Sequence, residues 1–186
     1  MRIARVLWVL KSLCNTTKNS LLRRIIVQIY NTLVDLKGSY IGHTAKFENI
    51  PIFPHGVNSV FISGASVVGK DCVIFQQVTI GSNSTVDSQR KGSPQIGDNC
   101  YIGAGAKIIG NVVIGNNVRI GANCVVFQDV PDNSVVVLPK PRVIVKDISL
   151  DNKFYQYKDG LLGYVTDGSW QELNDSEVEH DFKKAQ

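Results

Sequence analysis

A six-residue period between Ile96 and Pro131 constrains the fold of this chain more than any other feature. The stretch reads IGDNCY IGAGAK IIGNVV IGNNVR IGANCV VFQDVP, with an aliphatic residue first in each hexad and a small residue fifth. Neither an α-helix nor a flat strand repeats every six residues, whereas parallel β-helices do. The period therefore predicts a solenoid in which each hexad is a short strand and a bend, and three hexads complete one triangular coil.

The same register extends upstream, with two interruptions. The upstream first positions are aliphatic: Ile62, Val68, Ile74 and Ile80. The upstream fifth positions are small: Ser66, Cys72, Val78 and Ser84. One interruption surrounds Pro54-His55-Gly56, and the other is the polar, Gly/Ser-rich loop near residues 82–95. Repeat proteins place long insertions on one face, often the binding face, so the loop is predicted to be functional.

The N-terminal segment predicts two helices that precede the solenoid. Residues 1–34 carry six basic residues and no acidic residue. Ser20 is the predicted N-cap of the second helix, which we expect to end at Gly38 and to bury one set of apolar residues: Leu22, Ile25, Ile26, Ile29, Leu33 and Leu36. Two interpretations stay open, a cover over the first coil and a basic amphipathic contact with an anionic membrane surface.

Charge and cysteine usage exclude several classes of function. The net charge of +4 is too mild to indicate a nucleic-acid partner. Three of the four cysteines occupy small fifth positions, which packing explains, and no zinc-ligand spacing is present, so we expect no metal. Reduced thiols and the absence of a secretory or membrane-spanning pattern predict a cytoplasmic protein, with a peripheral position at the inner face of the membrane left open.

His55 is the strongest candidate for a catalytic group. It interrupts the period between Pro54 and Gly56 and lies outside the aliphatic positions, and a neutral imidazole is the usual general base for a hydroxyl. A structural role for His55 remains an equal alternative on the residues alone. His43, at the third position of its hexad, is expected to be a solvated surface histidine.

At this point the chain resembles the hexapeptide-repeat acyltransferases. The stretch from PHGVNSVFISGASVVGKDCVIFQQVTIG through IGAGAKIIG is similar to the serine acetyltransferase branch, which includes surface-polysaccharide O-acetyltransferases. The resemblance covers residues 41–146. It implies an all-β solenoid, specifically a left-handed parallel β-helix with an N-terminal α-helical segment. It also implies a homotrimer that transfers acetyl from acetyl-CoA, the co-substrate, at clefts between subunits.

The resemblance also assigns roles to individual residues. His55 matches the histidine that deprotonates the acceptor. Ala104 and Ala122 match positions that line the CoA arm, and Arg142 matches a basic residue that meets a CoA phosphate, although the family's Gly-Val-Pro-Ala run is altered to Leu-Pro-Lys-Pro at 138–141. We expect His55 of one subunit to face Ala104 and Ala122 of another.

Two departures from the serine acetyltransferase pattern bear on the acceptor. Pro54 stands where the family has an Asp before the catalytic histidine, and Ser93 stands where it has a second histidine in the loop. The first hypothesis is therefore an O-acetyltransferase acting on a carbohydrate hydroxyl, such as a surface-polysaccharide precursor. Serine O-acetyltransferase and a non-catalytic β-helix scaffold are the alternatives. A γ-class carbonic anhydrase needs three zinc histidines, and the repeat region contains two.

The predicted organisation has three parts. Residues 1–40 form the N-terminal helical segment, and residues 41–146 form the β-helix acyltransferase domain with a protruding loop near 82–95. Residues 147–186 form a C-terminal tail, in which two Asp-Gly pairs between aromatic-rich runs favour a hairpin.

Overall fold

The computed structural model describes residues 2–166 and 168–173. These residues fall into two compact units that divide between Lys140 and Pro141. The first unit begins with two helices, α1 (Arg2–Thr16) and α2 (Ser20–Asp35). In the part of the chain that is described, no helix is both long and apolar enough to cross a membrane.

Short strands of the first unit form three parallel sheets. Sheet A contains β1 (Tyr40–Ile41), β3 (Phe61–Ile62), β6 (Thr79–Gly81), β9 (Lys107–Ile109) and β12 (Val125–Val126). Sheet B contains β2 (Lys46–Phe47), β4 (Val67–Val68), β7 (Gln95–Ile96) and β10 (Val113–Ile114). Sheet C contains β5 (Val73–Ile74), β8 (Tyr101–Ile102), β11 (Arg119–Ile120) and β13 (Val135–Val136).

The chain visits the three sheets in turn and therefore coils. Ile102 pairs with Ile120, and Ile62 pairs with Ile80, so a regular coil takes 18 residues. Where the loop intervenes, Val68 pairs with Ile96 instead, which gives that coil ten extra residues. We name the three corners after the sheets they connect: the A–B corner, which includes the loop, the B–C corner and the C–A corner.

The repeat supplies the core, as the sequence predicts. Every aliphatic first position is buried: Ile62, Val68, Ile74, Ile80, Ile96, Ile102, Ile108, Ile114, Ile120 and Val126. Burial of each such side chain contributes about 1.5–3 kcal/mol to folding. The fifth positions are buried as well, except for Ser84, which is exposed in the loop. The assignment of Ser84 to a repeat position is therefore wrong, because the chain leaves the coil after Gly81.

Polar ladders shape the B–C corner. Four residues there adopt positive φ between 54° and 58°, in the left-handed region that Asn and Asp tolerate: Asp71, Asn99, Asn117 and Asn133. At the first three of these residues, the backbone N–H one residue earlier is bound by a carboxylate or amide oxygen of the next coil. Lys70 donates to Asp98, Asp98 to Asn116, and Asn116 to Asp132, at 2.7–2.8 Å.

The helices contact the first coil. Trp8 packs against Phe47 and Phe53, with ring centroids 5.2 and 5.7 Å away, and the buried Tyr30 hydroxyl donates to the Ile41 carbonyl at 2.7 Å. The N-cap of α2 is Asn19, whose side chain accepts from Leu22, and not Ser20 as predicted.

The buried face of α2 also differs from the predicted one. Tyr30 and Val34 are buried, whereas four residues expected inside are about half exposed or more: Leu22, Ile25, Ile29 and Leu36. Ile26 and Leu33, the other two residues predicted to lie inside, are partly buried and pack against the core, so the predicted face is partly correct. The second unit, described by itself, contains an antiparallel sheet of β14 (Tyr155–Lys158), β15 (Leu161–Thr166) and β16 (Ser169–Glu172).

Candidate active site at the C–A corner

His55 lies in an insertion at the C–A corner. Ile52 pairs with Val73, and Phe61 pairs with Thr79. The chain advances nine residues between these two pairings in the first coil but only six in the next coil, so the first coil contains an insertion of three residues. Gly56 at φ 73° and the Asn58 side chain, which donates to the His55 carbonyl at 2.9 Å, shape the bulge. The imidazole is exposed at the surface of the corner.

The His55 ring is oriented by two residues of the following coil. Its Nδ1 lies 2.7 Å from Oε1 of Gln76, and its plane is perpendicular to the Phe75 ring at a centroid distance of 5.6 Å. Because an amide oxygen only accepts, Nδ1 carries the proton and Nε2 presents a lone pair. Nε2 is therefore the atom that can accept a proton from a substrate.

Ala104 and Ala122 occupy the same corner of the same chain. Gly105 N–H donates to the Gln76 carbonyl at 3.1 Å, and Asn123 N–H donates to the Ala104 carbonyl at 2.8 Å, so the residues stack on successive coils. Within one chain His55 and the two alanines therefore share a corner, and the expectation that His55 of one subunit faces the alanines of another stays a prediction. Gln76 and Ala104 are 28 residues apart because the coil between them includes the loop, whereas Ala104 and Ala122 are separated by a regular coil of 18 residues.

The alanines leave backbone donors open. Nowhere in the described chain do Ala104 N–H, Ala122 N–H or Gln76 N–H find a hydrogen-bond acceptor. At the B–C corner the equivalent N–H groups are bound by Asp or Asn side chains of the next coil. An alanine has no such oxygen, so the C–A corner presents a column of free N–H groups beside His55, which suits a ligand with carbonyl oxygens.

The other sequence candidates lie elsewhere. Arg142 is exposed in the second unit, and its role stays a prediction. His43 is half-buried rather than fully solvated. Burial first, then Arg23 and Lys11, lower the pKa of His43. No group of three His, Cys, Asp or Glu side chains positioned for a metal ion occurs among the residues described.

The cysteines pack inside the coils. Cys14, Cys72, Cys100 and Cys124 are all buried as free thiols. The hydrogen bond with the Cys100 thiol and burial raise the pKa of Cys72, which makes it a poor nucleophile.

The loop starts from a different corner from His55. It connects β6 to β7 and so belongs to the A–B corner, where Asn83 and Gly92 pair through both of their backbone groups. Arg90 reaches back to its own coils, donating to the Asn111 carbonyl at 3.2 Å and to Asp129 at 2.8 Å. Residues 84–87 are exposed. Within one chain, sheet A separates this loop from the His55 corner.

Gln76 is the site residue that the sequence analysis missed. Its signal was available, because Gln76, Ala104 and Ala122 are all third positions of their hexads. A glutamine at an outward position has no distinguishing feature until the His55 bulge is folded against it.

Comparisons with known proteins agree with this geometry. Residues 93–128 match the family model for the bacterial transferase hexapeptide (six repeats). Serine acetyltransferase of Synechococcus elongatus is 44% identical over 92 residues, which are 50% of this chain and 36% of that protein. Serine acetyltransferase of Helicobacter pylori is 36% identical over 112 residues, 60% of this chain and 64% of that protein.

The chain carries the bacterial transferase hexapeptide repeat and resembles the serine acetyltransferases. A crystal structure of serine acetyltransferase isoform 3 from Entamoeba histolytica, in complex with cysteine, aligns with a TM-score of 0.60 and 29% identity, over 76% of this chain and 50% of that one. The Neisseria gonorrhoeae serine acetyltransferase also aligns with a TM-score of 0.60, at 25% identity, over 80% of this chain and 54% of that one. The matched part of this chain thus covers less than two thirds of the length of each of these relatives.

Proposed function

We propose that this chain is an acetyl-CoA-dependent O-acetyltransferase whose reaction centre is the C–A corner. One observation carries the proposal: a histidine with its Nε2 lone pair exposed stands beside a column of backbone N–H groups without acceptors. The similarity to serine acetyltransferases supports it, because those proteins are named for this group transfer.

His55 supplies the proton chemistry of the proposed reaction. Nε2 accepts the proton of the acceptor hydroxyl while its oxygen attacks the thioester carbonyl, and the Gln76 oxygen holds the ring through Nδ1–H. Backbone N–H groups stabilise the negative charge that develops on the carbonyl oxygen. The carbon–sulfur bond then breaks, and the imidazolium returns its proton to the departing CoA sulfur. No acyl-enzyme is needed.

The CoA arm follows the column. The N–H groups of Ala104 and Ala122 donate to its amide carbonyls, and the small side chains let the arm approach the backbone. Arg142 is the proposed partner of a CoA phosphate, as the resemblance implies.

L-Serine is the first acceptor to test, because the relatives described above are serine acetyltransferases. A carbohydrate hydroxyl, which the sequence analysis placed first, has no support in the comparisons and becomes the second candidate. The residues around His55 still favour a carbohydrate acceptor. Pro54 and Ser93 replace the charged or ionisable groups that would contact an amino acid, and the polar contacts of His55 are with neutral amides.

The proposal extends to architecture and assembly. The hexapeptide repeat and the structural relatives support left-handed winding of residues 41–146, after the helical segment 1–40 and before the tail 147–186. A homotrimer would bury outward apolar residues such as Val113 and Val125, which are 50% and 58% exposed. The membrane contact of the N-terminal helices stays a prediction, which cosedimentation with anionic vesicles tests.

The experiment is an assay of CoA release with acetyl-CoA and a panel of L-serine, neutral sugars and acidic sugars. We expect acceptor-dependent release with at least one member, and mass spectrometry of the product identifies the acetylated oxygen. Release without an acetylated product would show only thioester hydrolysis. Absence of both release and acetyl-CoA binding would favour the non-catalytic scaffold.

A further inference from the structure

The outer face of sheet C carries a shallow cavity of about 250 Å³ that the mechanism above does not use. Its lining comes from three successive strands and the turns beside them: Val73, Asn99, Cys100, Tyr101, Asn117 and Arg119. Val73, Tyr101 and Arg119 stack because β5, β8 and β11 pair in register. The cavity is therefore built by the regular part of the solenoid and is independent of the loop.

Arg119 is the charged group of this cavity. Within residues 2–166 and 168–173 its guanidinium has neither an ion-pair nor a hydrogen-bond partner. Two other cations of the solenoid are bound, because Lys107 donates to the Gln77 carbonyl at 2.6 Å and Arg90 pairs with Asp129. Arg119 thus offers a complete set of donors on the strand next to Tyr101.

The polar groups at the edge of the cavity are held in place. Asn99 donates to the Asn117 amide oxygen at 2.9 Å, which fixes both side chains along the B–C corner. The three acidic residues of that corner already accept hydrogen bonds at 2.7 Å: Asp71 from the Asn49 side chain, Asp98 from Lys70 N–H and Asp132 from Asn116 N–H. They do not pair with Arg119.

Aromatic contacts connect the cavity to the reaction centre. The ring of Tyr101 lies 5.0 Å from that of Phe75, and Phe75 lies 5.6 Å from His55, centroid to centroid. The cavity and His55 are therefore two aromatic contacts apart along one side of the solenoid. A substrate that reacts at His55 and extends along this side reaches Arg119.

We propose that this cavity binds a carboxylate or phosphate group of a substrate that reacts at His55. A guanidinium binds such groups through paired hydrogen bonds. The inference rests on the proposed acetyl transfer and adds the substrate class. Ile52, close to His55, is three strand spacings from Arg119, which is roughly 14 Å along the solenoid. L-Serine and a single acidic sugar are too short for this span, so a longer acidic or phosphorylated acceptor, such as an acidic oligosaccharide, fits better. The phosphates of CoA are the other source of the same chemistry.

Binding measurements on the full chain distinguish these sources without relying on catalysis. Calorimetry or NMR titration compares D-glucuronate with D-glucose, which differ in the carboxylate, and CoA with pantetheine, which lacks the phosphates. The variants are Arg119→Gln and the control Lys46→Gln, which removes an exposed cation from the outer face of sheet B. Neither residue belongs to the reaction centre.

We expect the wild type and Lys46→Gln to prefer glucuronate to glucose, and Arg119→Gln to lose about tenfold in glucuronate affinity with little change for glucose. A selective loss of CoA affinity in Arg119→Gln, with pantetheine unchanged, also supports the anion site and assigns it to CoA. Equal affinities of wild type and Arg119→Gln for all four probes overturn the proposal. Failure of acetyl transfer in the CoA-release assay would not alter these affinities.

Discussion

At the scale of single residues, the account depends on His55. We predict that His55→Ala lowers turnover by about 10²–10⁴-fold, because it removes the general base, while acetyl-CoA binding and folding persist. Steady-state kinetics and circular dichroism check this. The matched control is His43→Ala, which removes a histidine bordered by α1 and leaves the C–A corner intact. Turnover of His55→Ala within a few-fold of the wild type would remove His55 from the mechanism.

Residue patterns predicted the core and only part of the site. The hexad positions identified the buried aliphatic residues correctly, because burial and coil register follow the same period. His55 is a candidate because it breaks that period. Gln76 and Arg119 occupy ordinary outward positions of the repeat, so the sequence pattern does not distinguish them. Their proposed roles depend on contacts that form only when the coils stack.

At the scale of elements, the loop between β6 and β7 is the least repetitive part of the solenoid. We predict that replacing residues 84–91 by a tight turn leaves the coils folded and raises the KM of at least one substrate by roughly tenfold, because the loop covers a cleft. Kinetics and thermal unfolding of the variant check this.

The control for the loop is Arg90→Ala, which keeps the loop length and removes the ion pair with Asp129 and the hydrogen bond to the Asn111 carbonyl. That pair is solvent-exposed, so its loss should change stability little. Two hydrogen bonds lower the pKa of Asp129, the larger effect coming from Val113 N–H and the smaller from the Arg90 side chain. The hydrogen bond from Val113 remains in Arg90→Ala. Unchanged KM values in the shortened variant would show that the loop has no part in binding.

The helices show where element prediction fails. Apolar spacing predicted that α2 exists, and the helix is present, but the predicted buried face is only partly correct. A helix with apolar residues on two sides does not reveal from its own sequence which side packs inward. The Tyr30 hydrogen bond to Ile41 decides, and it depends on where the first coil begins.

At the scale of the whole molecule, the arrangement of corners suggests how subunits cooperate. His55, Ala104 and Ala122 share the C–A corner, whereas the loop belongs to the A–B corner of the same chain. A trimer can bring the loop of one subunit over the His55 corner of the next. Multi-angle light scattering should give the mass of three chains.

The most direct test of this account combines two defective subunits. Chains with His55→Ala are co-expressed at equal levels with chains whose loop is shortened, and acetyl transfer is assayed at low substrate concentration. If each site uses His55 of one chain and the loop of its neighbour, random mixing makes roughly a quarter of the sites intact, and activity rises well above either parent. Activity no higher than the average of the two parents would contradict a site shared between subunits.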